Sequence, residues 1–303
     1  MMSPGREATC RSIGTILRNI LRNIVGARGA VGPSDVAGAA PPASTEIQPV
    51  DPSVLQASRA REIPKEGPHF IGIGAHKAAT SWLFKMLSMH EDVYFPRGKE
   101  VAYWNARFDK RQHIDTYLQA FREGTAQAFG GINGDITPLY MLIPEEDIAF
   151  LHETLPDVRL LFIARNPVER AISGADFHLR FRPQEVKNYQ ALLFSPFITN
   201  CGLYMKYLDN WLKYFPRESF HIIVQDDIRA DPRGIMRGVA AHIGVDPAIW
   251  DEIPEKFLHQ KANAASKKTP VSDEVRNRLK EVYREDVERF STFMGRDLTR
   301  WVS

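Results

Sequence analysis

The stretch FIGIGAHKAATSWL, residues 70–83, passes from an apolar, β-branched run through a turn of small residues straight into a helical period. A strand that turns into a helix within so few residues sends that helix back along the sheet, which is the unit from which α/β domains are built. In KAATSWLFKMLSMH, Trp82, Leu83, Met86 and Leu87 share the face that would pack there. The same succession recurs along the chain. VRLLFIA (158–164) leads into RNPVERAISGADFHLR with Pro167 in its first turn, and FHIIVQ (220–225) precedes ADPRGIMRGVAAHIG, with Asp231 as N-cap, Pro232 at the first helical position and Gly244 past the end. GLYMKYLDNWLKYF offers Leu208, Trp211, Leu212 and Phe215 to a core, and the last helix, behind Ser272, does so with Val275, Leu279, Val282, Phe290 and Phe293. These elements predict an α/β domain with a mostly parallel sheet and no internal repeat.

The first 64 residues do not fit that pattern. Ile13, Ile16, Leu17, Ile20, Leu21 and Ile24 fall on one helical face, with Arg11, Arg18, Arg22 and Arg28 supplying charge, so residues 11–28 read as a basic amphipathic helix suited to a peripheral membrane or partner contact, or to packing on its own domain. The segment GARGAVGPSDVAGAAPPASTEIQPVDPS is too poor in large apolar groups to offset its ordering entropy and reads as a flexible linker. The division expected is therefore 1–64 for this segment and 65–303 for the folded domain. Arg18 and Arg22 interrupt the apolar run before it resembles a secretory signal, and no stretch reaches the ~18 apolar residues that span a bilayer. With two cysteines, Cys10 and Cys201, no disulfide framework is available, and a reducing, cytoplasmic compartment is expected. Lys and Arg outnumber Asp and Glu by only 39 to 37, which gives no footprint for nucleic acid and leaves any anion site to local placement of charge.

In parallel sheets ligands sit beyond the carboxyl ends of strands, which directs attention to the turns at 74–81 and 164–173. The first presents Gly72, Gly74, His76, Lys77, Thr80 and Ser81 at a helix N-terminus, where free N–H groups and the helix dipole favour an anion such as phosphate. A Walker A loop counted from Gly74 would put its lysine where Thr80 stands, and Lys77 lies three residues earlier. It is a phosphate-type loop without the triphosphate lysine. Read alone, it equally describes an ordinary strand-to-helix turn with a surface lysine. FHIIVQDD has the look of a Walker B strand ending at Asp226, but without that lysine Asp226 is expected to cap the following turn, and no His, Cys or Asp cluster has metal-ligand spacing.

Taken together, GAHKAATSWL (74–83), KEVAYW (99–104), GDITPLY (134–140), LLFIARNPVERAISGADFH (160–178), GLYMKYLDNWLKYFP (202–216) and FMGRDLTRW (293–301) resemble the sulfotransferases that use 3′-phosphoadenosine 5′-phosphosulfate (PAPS), in particular their bacterial and heparan-sulfate-type branch. The resemblance covers residues 68 to 302 and implies a P-loop-like, three-layer α/β fold. It implies that the first loop, His76, Lys77, Ala78, Ala79, Thr80 and Ser81, cradles the 5′-phosphosulfate, with Lys77 on the oxygen between phosphorus and sulfur. A cation there would stabilise charge that builds as the S–O bond breaks. Arg165 and Ser173 match the clamp on the 3′-phosphate, and Lys267 and Lys268 lie where the family closes over the nucleotide. Glu100 matches the general base of the heparan-type branch. Asp135 competes for that role, and His76 is a weaker base because the neighbouring cation depresses its pKa.

Two departures stand out. Where the family commonly has glycine, this chain has Ala79, which implies a backbone position that does not need φ > 0. A lysine that often follows the acid of GDITPLY is replaced by Ile136. The reading is transfer of a sulfuryl group from PAPS, with no metal, to a hydroxyl or amine on a glycan or small molecule. The alternatives are a small-molecule kinase with a degenerate loop, or an inactive nucleotide-binding adaptor. Residues 104–133 and 180–200 are expected to be the loops that set acceptor choice.

Overall fold

Five short strands, β1 (Phe70–Gly74), β2 (Val93–Tyr94), β3 (Ile132–Ile136), β4 (Arg159–Ala164) and β5 (Phe220–Val224), pair in the order β2-β3-β1-β4-β5, every pair parallel. The computed structural model describes residues 67–127, 131–260 and 268–303; the amphipathic segment, the linker, their boundary with the domain, and Lys267 lie outside the described residues. β1 is central and wholly buried, as its unbroken apolar run predicts. Two of its glycines serve packing, not the ligand turn: a β-carbon on Gly72 would lie 3.0 Å from Ile136, and one on Gly74 would lie 3.0 Å from Phe162.

Helices flank the sheet, in chain order α1 (Thr80–Leu87), α2 (Lys110–Gln127), α3 (Glu145–Thr154), α4 (Pro167–Phe181), α5 (Tyr189–Leu193), α6 (Pro196–Asn200), α7 (Tyr204–Leu212), α8 (Gln225–Ala230), α9 (Pro232–Ile243), α10 (Ile249–Glu252), α11 (Glu255–Leu258) and α12 (Asp273–Met294). The fold is the expected α/β arrangement. Asp231 and Ser272 cap α9 and α12 by accepting from Gly234 N and Val275 N, and Gly244 and Gly295 end them in the left-handed region. On α1 the four expected core residues are all buried, and on α7 Leu208 and Trp211 are. Behind Ser272 one residue of the expected face turns outward. Val282 is 41% exposed, and its neighbour Tyr283, with Val287, fills the core.

Three elements depart from expectation. β2 and β3 extend the sheet beyond β1, and α2 occupies most of the stretch expected to be an acceptor loop, burying Tyr117 and Phe121 one turn apart. Asp226 does not cap a turn. It lies inside α8 and accepts from Arg300 and from Trp301 Nε1 at 3.4 Å, while Asp227 beside it takes both Arg296 nitrogens at 2.5 and 2.8 Å, so α8 anchors the C-terminal segment. Cys201 is buried with a free thiol, as expected of a small apolar residue.

Burial pushes His69 and His221 down to about 4 and His242 to about 3. In the unfolded chain these imidazoles take protons near pH 6.5, so the stability they contribute is full above that pH and is lost as pH falls toward 4. Asp135 and Asp286, pushed up to about 6 by burial, work in the opposite sense, because the fold holds their protons at pH values where the unfolded chain has released them. The three imidazoles outnumber the two carboxylates. The melting temperature is therefore expected to fall between about pH 7 and pH 5, and His242→Gln, which removes the most depressed of the three, should flatten that fall; an unchanged slope in differential scanning fluorimetry would contradict it.

Candidate active site

Because β1 and β4 are neighbours whose onward connections run to opposite sides of the sheet, their carboxyl ends form a switch point, and the turns after them lie side by side. Ala75 N donates to Ile163 O at 3.0 Å, which fixes the start of the first turn on β4. The turn then takes two left-handed residues, Lys77 and Ala79, each with φ 66°. Ala79 thus adopts the conformation that an alanine had argued against, and it does so at the N-cap of α1, with no side chain capping that helix. Among the described residues no acceptor meets the N–H groups of Thr80 and Ser81, and the helix end is open to an anion.

The second turn grips the first. Tyr204 accepts from Arg165 N at 3.1 Å and donates to Arg165 O at 2.5 Å, holding the backbone of that residue, and Arg165 Nη1 donates to Lys77 O at 2.8 Å. Arg165 does not pair with Glu169, whose carboxylate instead takes Arg276 at 2.7 Å and Lys268 at 3.0 Å. This places Lys268 against α4, beside the second turn. Asn166 caps α4 by accepting from Val168 N and Glu169 N, and Ser173 stands half-buried two turns further along. The bond from Arg165 to Lys77 thus joins the two turns in one cationic recess.

Lys77 is half-buried, with Nζ 4.0 Å from the centre of the Phe177 ring. Burial, then the Arg165 and Lys99 charges, lower its pKa, while Glu100 opposes them. His76 lies well below its ordinary pKa through burial first and then the charges of Arg170, Lys77 and Lys99, so it is neutral and a weak base. The Lys99 ammonium pairs with the neighbouring Glu100 carboxylate, yet the Glu100 side chain remains 54% exposed beside Lys77.

Asp135 occupies a different position. It is fully buried at the end of β3, and its carboxylate accepts from Tyr140 at 2.7 Å, Thr137 at 2.8 Å and Tyr117 at 3.1 Å, and from the backbone of Val101. The same neighbours hold the segment that carries Glu100. Glu100 N donates to Ile136 O at 3.1 Å, Ala102 N to Thr137 Oγ1 at 3.3 Å, and Tyr103 N to Tyr140 O–H at 3.0 Å. Glu100 and Ala102 are themselves left-handed, at φ 66° and 59°, so the segment is bent tightly over β3. Of the two carboxylates weighed as base, Glu100 faces solvent beside Lys77 and Asp135 lies beneath it.

Residues 68–299 match the family model described as the sulfotransferase domain. The chain belongs to that family. Curated relatives include heparan sulfate glucosamine 3-O-sulfotransferase 6 of Mus musculus, 28% identical over 73% of this chain, and 3-O-sulfotransferase 3B1 of Homo sapiens, 28% identical over 71%. The matched regions span 64% and 56% of those relatives' own lengths. Among solved structures, a sulfotransferase from Alicyclobacillus acidocaldarius superposes with a TM-score of 0.59 at 24% identity, covering 78% of this chain and 99% of that one, which is a likeness of fold. Sulfotransferases take their sulfuryl group from PAPS, and the uncapped start of α1, with Lys77 and Arg165 beside it, is chemistry suited to the phosphates of such a donor. Among the described residues no group of three or more His, Cys, Asp or Glu side chains is placed to hold a metal ion.

The left-handed alanine gives a direct test of the sulfotransferase loop. A non-glycine residue there costs ~1–2 kcal/mol, part of which glycine returns through its larger unfolded-state entropy. Ala79→Gly should therefore raise stability by about 0.5 kcal/mol, roughly 1–2 °C in melting temperature. A drop on calorimetry would mean that the turn is not held in this conformation in solution.

Proposed function

We propose that this sulfotransferase moves the sulfuryl group of PAPS to a hydroxyl acceptor, with Glu100 as general base and Lys77 on the leaving oxygen. The observation that carries the reading is the joining of the two turns through Arg165 Nη1 and Lys77 O, with the exposed Glu100 carboxylate close enough to act on Lys77. In the step, Glu100 takes the acceptor proton, the acceptor oxygen bonds to sulfur, and the bond from sulfur to the bridging oxygen breaks. The negative charge left on the 3′,5′-bisphosphate meets the Lys77 ammonium and the N–H groups at the start of α1. Asp135 holds the Glu100 segment in place. That the relatives are 3-O-sulfotransferases favours a hydroxyl over an amine. On the acceptor side, Phe177 and Phe181 stand 42% and 60% exposed, their ring centres 4.6 Å apart, and Phe177 touches Lys77. They offer an apolar platform for the face of a sugar or other ring.

With Arg165 and Ser173 on the 3′-phosphate, the bisphosphate should raise the melting temperature well above the effect of AMP at equal concentration, and Arg165→Ala should remove the difference. Equal stabilisation of the wild type by both nucleotides would end the clamp assignment.

Glu100→Gln retains shape and most hydrogen bonds but not basicity, so kcat should fall roughly 10²–10⁴-fold with bisphosphate affinity nearly unchanged. Lys77→Ala should lose ~10²–10³-fold in rate and nucleotide affinity as well. Asp135→Asn, by contrast, should lower the melting temperature together with kcat, because a buried acceptor set for four donors is disturbed. If Asp135→Asn keeps wild-type stability while Glu100→Gln keeps wild-type kcat, the base is Asp135.

A further inference from the structure

Arg170 lies on α4 between the two residues proposed to clamp the 3′-phosphate, and it is 0% exposed. Its Nη2 donates to Ile198 O, while Nε and Nη1 have no hydrogen-bond partner. Among the described residues it forms no ion pair with a carboxylate. The groups facing it are the phenols of Tyr204 and Tyr283 and the thiol of Cys201, neutral at pH 7, and the Tyr283 hydroxyl is the polar group that interacts with the guanidinium without supplying a countercharge. A cation buried without a countercharge is among the most costly arrangements a fold can hold, and its retention calls for a compensating anion.

The position of the guanidinium shows where that anion would come from. Gly174 separates it from the phosphate-type loop: a β-carbon built there would lie 3.4 Å from Arg170 Nη1 and 4.0 Å from Lys77 Cγ. The Ile198 side chain packs closest to that point, at 3.2 Å, and the Arg170 charge is the largest influence on His76 after burial. His76 Nδ1 is itself buried and without a partner. Arg170 thus lies behind, and His76 within, a turn that presents free N–H groups at the start of α1.

We propose that the countercharge of Arg170 is the phosphate group of the bound donor. Arg170 is a positioning residue that acts on the nucleotide through its field from behind the 76–81 loop, without touching it. This rests on the reading that the loop takes the donor's phosphate. Lys77, Arg165 and Lys99 are partly exposed, so salt screens their attraction for an anion, whereas Arg170 acts through the protein interior and is screened little. Its share of the affinity should therefore persist at high ionic strength.

The test is calorimetric titration of 3′,5′-bisphosphate into wild type, Arg170→Met, Arg170→Gln and Arg170→Lys, each at low and high salt, alongside melting temperatures without ligand. The methionine variant should bind about tenfold more weakly, the order expected for one weakly screened charge, and by the same factor at both salt concentrations. Arg170→Lys should restore most of the affinity. Without ligand the methionine variant should melt no lower than wild type, since an unpaired buried charge has been removed. If Arg170→Met does not fold, the glutamine and lysine variants carry the same comparison. Wild-type affinity in the neutral variants would overturn the proposal and leave Arg170 a packing residue, as would a loss of affinity that salt abolishes. Failure of the wild type to bind the bisphosphate at all would instead bring down the reading of the loop itself.

Discussion

The parallel pairing of β1 with β4 is the constraint from which the rest of the site follows. It sets Gly74, the end of β1, opposite Phe162, two residues before the end of β4, and so lays the two turns side by side. That alignment leaves little room for error, because a turn that drifted by one residue would separate Lys77 from Arg165. The hydrogen bond from the Arg165 guanidinium to the Lys77 carbonyl secures it, and the Tyr204 hydroxyl, bonded to both the N–H and the carbonyl of Arg165, secures Arg165 in turn. Tyr204 begins α7, whose first N–H groups are met by Asp286 of α12, with Met205 N at 3.1 Å and Lys206 N at 2.8 Å. The recess is therefore supported by helices distant in sequence, not by its loops alone.

A second support lies on the other side of β1. Asp135 is ionisable, buried and surrounded by hydroxyls, an arrangement that is costly unless each donor is held in place. Tyr117 comes from α2, Thr137 and Tyr140 from the segment after β3, and all three reach the same carboxylate, so one side chain ties together the elements around the segment that carries Glu100. The left-handed residues at Glu100 and Ala102 persist because this network over-determines the backbone around them. Strain and buried polarity are both concentrated around the segment that carries Glu100, a pattern seen where local preferences are overridden for a site.

What could be read from the chain and what could not divide along the same physical line. Strands β1, β4 and β5 are continuous apolar runs and were legible, as were the caps Asp231, Ser272 and Gly244. β3 reads INGDI, and nothing in periodicity marks it as a strand. Its glycine is required because a β-carbon at Gly134 would fall within the Phe70 ring, and its Asn133 and Asp135 are buried for their hydrogen bonds. α2 could have been found, since Ile114, Tyr117, Leu118 and Phe121 keep a helical spacing. The phosphate-type loop was legible as chemistry, but not the left-handed Ala79, for which the residue itself argued the other way. Arg170 gave no signal at all, because a cation within an amphipathic helix is ordinarily solvated, and only the tertiary structure shows that it is enclosed.

Electrostatically, the recess is assembled against itself. Lys77, Lys99, Arg165 and Arg170 all act on one another or on His76, and every one of these influences disfavours the charged form, with Glu100 the nearest carboxylate in opposition. In water such a set of side chains would spread apart. Here Arg165 is held by backbone bonds, Arg170 by the core around it, and Lys77 by the Phe177 ring, so the repulsion cannot relax. A dianion in the recess would add an attraction to each of these cations that offsets the repulsion among them, the condition under which fixed charges stabilise a developing negative charge most effectively. The instability of the cationic recess in the absence of an anion and its capacity to hold one are therefore the same property of the fold.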